Sequence, residues 1–265
     1  MNPSIAMTAT CRNLLWALSL VALTFGASPV QADSHAGGAA GDTKIVLITG
    51  ANRGLGLEFA KQYAKDGWTV IGTARSPAKA DELKSVAAEM FQLDVTNRAS
   101  IAALAKSLDG RSIDMLINNA GIFPRVGEIE KVDADDYART LMVNTLGPVL
   151  VTQALLPNLR AGDMKHIVNI TSQLASIENN GGNFYGYRES KAGLNMFTKT
   201  LAAELEPEGF VCLALHPGWV RTDMGGPSAT LSPEESVSAM RDVISSVSTG
   251  DSGQYRAYTG AVVPW

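Results

Sequence analysis

From Lys44 onward, short apolar runs alternate with longer stretches of helical period. Ile45–Thr49, Thr69–Ala74 (with Trp68 leading in), Met90–Leu93, Met115–Asn118, His166–Thr171 and Phe210–His216 are hydrophobic almost without a break. Such runs predict strands covered by helices on both faces. Between them, apolar residues recurring every three or four positions predict helices over Leu55–Asp66, Pro77–Ala88, Asn97–Leu108, Asp133–Arg160, Tyr187–Glu206 and Pro233–Ser246. Strand and helix alternating in this way predict an α/β fold, a single doubly wound parallel sheet with right-handed crossovers. No internal repeat or second composition regime interrupts residues 44–265, so this stretch is expected to be one domain.

The first residues follow a different pattern. Met1–Asn13 carries Arg12 and no acid, Leu14–Ala27 is an apolar run, and Ser28–Ala32 follows with Val30 and Ala32 at the −3 and −1 positions. This predicts a secretory signal peptide over 1–32, cleaved after Ala32, and an exported protein. The run is short for a spanning helix, so no membrane span is expected once the signal is removed. A misassigned start is the competing reading, but no methionine lies between Met7 and Met90. Residues 33–43 are rich in Gly and Ala and read as a linker.

Composition narrows the classes. A net charge of −4 argues against nucleic acid held on a basic face. Two cysteines, Cys11 and Cys212, and three scattered histidines are too few for a zinc framework, so no metal site is expected. Cys212 lies in an apolar stretch and reads as a packed small hydrophobe.

In a doubly wound sheet, ligands bind beyond the carboxyl ends of the strands. After the first strand comes Thr49-Gly50-Ala51-Asn52-Arg53-Gly54-Leu55-Gly56, opening a helix. Glycines there allow a tight turn and bring backbone N–H groups and a helix N-terminus to a pyrophosphate. The spacing departs from GxGxxG, with three residues between the first two glycines and one between the last two. Enzymes binding NAD usually carry an acid at the end of the second strand. Here that strand ends Ala74-Arg75, and Arg53 offers a second cation on the same side of the adenosine ribose. Two guanidiniums suit a 2′-phosphate, which points to NADP(H) over NAD(H).

Tyr187 and Lys191 stand four apart at the start of a predicted helix, so both side chains share one face. An adjacent ammonium is expected to lower the tyrosine pKa and suit it to proton transfer with a carbonyl or alcohol. Ser172 follows the fifth strand and can polarise a substrate oxygen. Asn144 lies in the long fourth helix, Asn118-Asn119-Ala120-Gly121 ends the fourth strand, and His216-Pro217-Gly218-Trp219-Val220-Arg221-Thr222 ends the sixth.

Taken in order, TGANRGLG, LDV, NNAG, the helical VN, the strand-five serine, YxxxK and PGxVxT resemble the short-chain dehydrogenase/reductase family over essentially all of 44–265. NFYGYRESKAGLN, HPGWVRTDMGG and the VVPW tail are most similar to its C-factor and sniffer-like carbonyl reductase branch. The resemblance implies a Rossmann fold of about seven strands and an oxidoreductase that interconverts a carbonyl and an alcohol by direct hydride transfer. It implies Tyr187 as general acid/base, and Lys191 as the residue that tunes Tyr187 and binds the nicotinamide ribose. Ser172 would orient the carbonyl, and Asn144 would hold a water between Lys191 and a proton relay. For the cofactor it implies Gly50, Asn52, Arg53, Gly54, Leu55 and Gly56 in the turn, Arg75 beside the ribose, and Asp94 and Val95 at the adenine. Asn118, Ala120 and Gly121 would lie beside it, with Pro217, Gly218, Val220 and Thr222 at the carboxamide end. The substrate is expected to be a small carbonyl or alcohol bordered by Gln173–Asn183, Phe123, Trp219 and Met224, and the assembly a homodimer or homotetramer.

A second reading stands beside it: an exported, C-factor-like signalling or envelope protein that keeps the nucleotide site but acts through a partner surface. The signal peptide favours it, because reduced nicotinamide cofactors belong mainly to the cytoplasm. The intact Asn144, Ser172, Tyr187 and Lys191 favour the enzyme.

Overall fold

The computed structural model describes residues 43–265. The expected signal peptide, Cys11 and all of the linker but residue 43 lie outside the described residues. Six strands form where the apolar runs predict them, trimmed or shifted by about one residue: β1 (Ile45–Ile48), β2 (Thr69–Ala74), β3 (Glu89–Gln92), β4 (Met115–Asn118), β5 (His166–Ile170) and β6 (Val211–His216). A further strand, β7 (Gln254–Ala257), completes a parallel sheet of order β3-β2-β1-β4-β5-β6-β7. The pattern misses β7 because an edge strand has little to bury, and of its four residues only Tyr255 is buried.

The strand order reverses between β1 and β4, which opens a crevice at their carboxyl ends. Alternate residues of the strands feed two cores. Val46, Ile48, Ile117 and Leu213 pack under α1 (Gly54–Lys65) and α7 (Pro233–Ser246), where Phe59, Tyr63, Val237 and Met240 meet them. Leu47, Leu116, Ile167 and Cys212 face α3 (Arg98–Ser107), α5 (Gly147–Ala161) and α6 (Tyr187–Leu205) through Leu104, Val151, Leu155 and Leu205. Burial pushes the Cys212 thiol up to about 12, which suits a packed, unreactive side chain.

Two predicted helices are corrected. The segment 77–88 is a 3-10 turn at Pro77–Lys79 followed by a single helical turn, α2 (Asp81–Lys84). The only buried residue of α2 is Leu83, seated against Gly72. The chain then leaves for the sheet, where the Ala88 N–H donates to the Val70 carbonyl. The predicted helix over 133–160 divides into α4 (Ala134–Leu141), a π turn at Met142–Leu146, and α5. Pro148 lacks the N–H that would bond the Asn144 carbonyl, and its ring crowds that oxygen, so the helix widens there. The run Ala134–Ala161 has the length and apolar content of a membrane span, but Val151, Leu155 and Leu159 are buried against the sheet.

Candidate functional site

The glycine turn is built from both sides of the crevice. Gly50 and Gly54 have φ of 64° and 56°, a region that disfavours side chains. A Cβ on Gly56 would lie 2.4 Å from the Gly50 carbonyl oxygen. The Thr49 hydroxyl accepts from the backbone N–H groups of Asn119 and Ala120, each at 3.0 Å. In return the Asn119 amide donates to the carbonyls of Thr49 (2.9 Å) and Gly50 (3.1 Å). Asn119, the second residue of the NNAG motif, thus ties the end of β4 to the glycine turn at the reversal of strand order. The N-terminus of α1 has no side-chain cap and no acid in its first turn, so its N–H groups fit an anionic pyrophosphate.

The end of the crevice expected to take adenosine is only partly as the sequence suggests. The second strand ends without an acid, and Arg75 lies exposed beside Asp94. The Asp94 carboxylate is committed to the Thr96 hydroxyl and N–H. Those bonds, together with the Arg75 charge, hold it below the usual carboxylate range. Val95 packs against Gly147 at the start of α5. Arg53 does not join Arg75. Its Nη1 lies 2.8 Å from the Asp223 carboxylate, in the loop after β6. That loop also brings the Thr222 methyl to within 3.4 Å of where a Gly54 Cβ would stand, so the two rims of the crevice touch. At the loop's start Gly218 has φ of 82° and the Pro217 carbonyl accepts from Ser236, while Val220 is buried and bridges to Leu231.

Tyr187, Ser172, Lys191 and Asn144 converge. Tyr187 is the first residue of α6, 6% exposed, and its phenol shares a hydrogen bond with the Ser172 side chain. The Phe123 ring lies 4.3 Å from that of Tyr187, centre to centre. Lys191, 5% exposed, donates to the Ile170 carbonyl at 2.8 Å, and its Nζ lies 5.9 Å from the Tyr187 ring centre. Asn144 is fully buried. Its amide donates to the Ile122 carbonyl (2.9 Å) and to Ser190 (3.0 Å), and its oxygen accepts from the Ile122 N–H (2.8 Å). The side chain is fully occupied in this way, and Pro148 withholds the N–H that would ordinarily bond the Asn144 backbone carbonyl. Asn118 stands behind this group, donating to Thr152 (3.1 Å) and Asn169 (2.9 Å).

The electrostatics reverse one expectation. Burial pushes Tyr187 up to about 12, although the Ser172 hydrogen bond opposes the shift, and burial pushes Lys191 down to about 8. The ammonium donates to the Ile170 carbonyl and sits 5.9 Å from the centre of the tyrosine ring, and desolvation of the phenol outweighs the expected lowering.

β7 contributes an unforeseen support. Tyr255, 1% exposed, donates from its hydroxyl to the Ser172 backbone carbonyl, and its ring packs on Trp265 at 5.5 Å. Burial raises Tyr255 well above the ordinary tyrosine value, so it remains a donor at neutral pH. Beside Ser172 opens a cavity of about 430 Å³ bordered by Gln173, Leu174 and Asn179 after β5, His216 of β6, and Tyr258 and Val263 beyond β7. Of the expected lining, Phe123, Trp219 and Met224 are not part of it. Phe123 packs on Tyr187, and the Trp219 indole donates to the Gly225 carbonyl. Tyr255→Phe is expected to lower kcat about three- to tenfold with the nucleotide Kd unchanged, since one hydrogen bond steadying Ser172 is worth about 1 kcal/mol. Steady-state kinetics alongside a nucleotide titration checks this, and an unchanged kcat would refute it.

The sequence model described as short chain dehydrogenase matches residues 44–231. The C-signal of Myxococcus xanthus is 45% identical over 164 residues, covering 62% of this chain and 99% of that protein. An NADPH-bound carbonyl reductase from chicken fatty liver superposes with a TM-score of 0.78 at 36% identity, covering 84% of this chain and 99% of its own. The carbonyl reductase Sniffer of D. melanogaster gives 0.79 at 33% identity, covering 84% and 100%.

Proposed function

The chain belongs to the short chain dehydrogenase family, and from that premise we propose that it is an NADP(H)-dependent carbonyl reductase acting on small carbonyl compounds and their alcohols. The observation that carries the reading is the convergence of half-buried Ser172 with buried Tyr187 and Lys191 beside an uncapped helix N-terminus and a glycine turn. The NADPH-bound carbonyl reductase among its structural relatives supports the cofactor and the substrate class.

In this proposal the backbone of Gly50–Gly56 and the α1 N-terminus hold the pyrophosphate, with the side chains of Asn52 and Leu55 flanking it. Arg53 and Arg75 receive the 2′-phosphate, Asp94 and Val95 border the adenine, and Asn118, Ala120 and Gly121 line the crevice floor. Lys191 takes the ribose, and Pro217, Gly218, Val220 and Thr222 border the carboxamide. Bound NADPH supplies the hydride. Ser172 orients the carbonyl oxygen, and Tyr187 donates its phenolic proton to that oxygen as the carbon is reduced. A raised pKa keeps this donor protonated at neutral pH. Lys191 and the Asn144 carbonyl hold the water through which the proton is replaced.

Titrating the full-length protein with NADPH and NADH by fluorescence, then assaying consumption of NADPH with small aldehydes and ketones, tests the reading. Binding of neither nucleotide refutes it, and tighter NADH overturns the cofactor preference. The pH dependence is a second check. Lys191 is charged below about 8 and loses its proton as pH rises through that value, while Tyr187 stays protonated. Reduction is therefore expected to be flat from pH 6 to 7.5 and to fall above 8, and a rate that climbs from pH 7 to 10 contradicts this. Export by way of residues 1–32 belongs to the same proposal, and N-terminal sequencing of the native protein tests it. An intact Met1 on cytoplasmic protein removes it.

A further inference from the structure

Arg53 already has a partner, and that partner is not on the adenosine side of the crevice. Its guanidinium meets the carboxylate of Asp223, 170 residues away in sequence, at 2.8 Å. Both side chains are open to water, at 68% and 78% exposed, so the pair can exchange partners readily.

Asp223 is not presented by a floppy loop. The Thr222 hydroxyl accepts from the Gly225 N–H at 3.1 Å, and the Thr222 carbonyl accepts from the Gly226 N–H at 2.8 Å. A Cβ on Gly225 would fall 1.9 Å from the Val220 carbonyl oxygen, so the turn closes tightly on itself. The far side of the loop is anchored as well, since Arg125 donates to the Met224 carbonyl at 2.6 Å. The loop is thus tied to the glycine turn through Arg53 and to the segment after β4 through Arg125. Asp94, an acid close to the end of β2, is committed to Thr96, which leaves Asp223 as the carboxylate that meets Arg53.

We propose that Asp223 is a specificity-determining residue that competes with the 2′-phosphate of NADP(H) for Arg53. This rests on the NADP(H) reading above and deepens it. A phosphate carries more negative charge than a carboxylate and accepts bidentate bonds from a guanidinium, so it displaces Asp223. A ligand without the 2′-phosphate has nothing to offer Arg53 and leaves the ion pair closed. Asp223 therefore weakens binding of 2′-phosphorylated nucleotides and leaves the others alone, which moderates the preference for NADPH over NADH.

The test compares adenosine 2′,5′-bisphosphate with adenosine 5′-monophosphate, which differ only in the 2′-phosphate, by calorimetric titration of the full chain. Asp223→Asn is expected to tighten the bisphosphate about three- to tenfold and to leave the monophosphate within twofold. Asp223→Glu, which keeps the carboxylate, stays near wild type. In an Arg53→Ala background the Asp223→Asn effect shrinks below twofold. An unchanged or weaker bisphosphate affinity in Asp223→Asn overturns the competition while leaving the cofactor reading intact, provided wild type still prefers the bisphosphate. A wild type without that preference overturns both. Thermal melting of each variant confirms that the fold is retained, and Asp223→Ser substitutes for Asp223→Asn should the latter melt early.

Discussion

Replacing Tyr187 by phenylalanine is expected to lower kcat for carbonyl reduction by about 10²- to 10⁴-fold, the usual contribution of a positioned general acid. The ring would stay in place, because Phe123 packs on its face and the position is buried. What is removed is the phenol that shares a hydrogen bond with Ser172 and stays protonated well beyond neutral pH. NADPH affinity should therefore change by less than about threefold, and the fold should be retained with a loss of about 1 kcal/mol for the missing hydrogen bond. Single-turnover reduction with saturating NADPH measures the chemical step directly. A residual rate within tenfold of wild type would show that Tyr187 is not the proton donor.

Gly56→Ala is expected to raise the Kd for NADPH at least about 100-fold, through steric displacement and without loss of any charge. The added methyl would stand 2.4 Å from the Gly50 carbonyl oxygen and 2.5 Å from the Asn119 amide nitrogen. One neighbour is backbone, and the other is a side chain held by two hydrogen bonds to the turn, so neither yields cheaply. The glycine turn must shift, and with it the N–H groups that receive the pyrophosphate. Overpacking of this kind costs about 1–3 kcal/mol of stability. Gly54→Ala is the useful contrast. There the nearest atom is the Thr222 methyl at 3.4 Å and the strain lies mainly in φ, so a milder loss of binding is expected. Fluorescence titration and urea unfolding of both variants decide the matter. A Gly56→Ala protein with near-normal affinity would mean that the turn does not carry the nucleotide.

Much of this site is written in local pattern. Strands buried on both faces are nearly continuous apolar runs, so β1 to β6 announce themselves, and the residues just beyond them follow once the sheet is inferred. The four-residue step from Tyr187 to Lys191 needs only helix geometry to place both on one face. Other features leave no such trace. β7 carries one buried residue, Tyr255, yet that residue steadies the Ser172 backbone from 83 positions away. Pro148 was visible in the sequence, but that its missing N–H opens the helix at Asn144, beside Ser190 and Ile122, depends on what packs there.

The chain's amino-acid order by itself determined the alternation of strand and helix, the glycine turn and the identity of the Ser–Tyr–Lys group, because periodicity and local turn chemistry are properties of neighbouring residues. Only the tertiary structure decided which partners those groups meet. It turned Arg53 toward Asp223 and away from Arg75, and it aimed Lys191 at the Ile170 carbonyl. It also set the sign of the tyrosine's pKa shift, because desolvation depends on everything folded around the phenol and not on the lysine four residues along the helix.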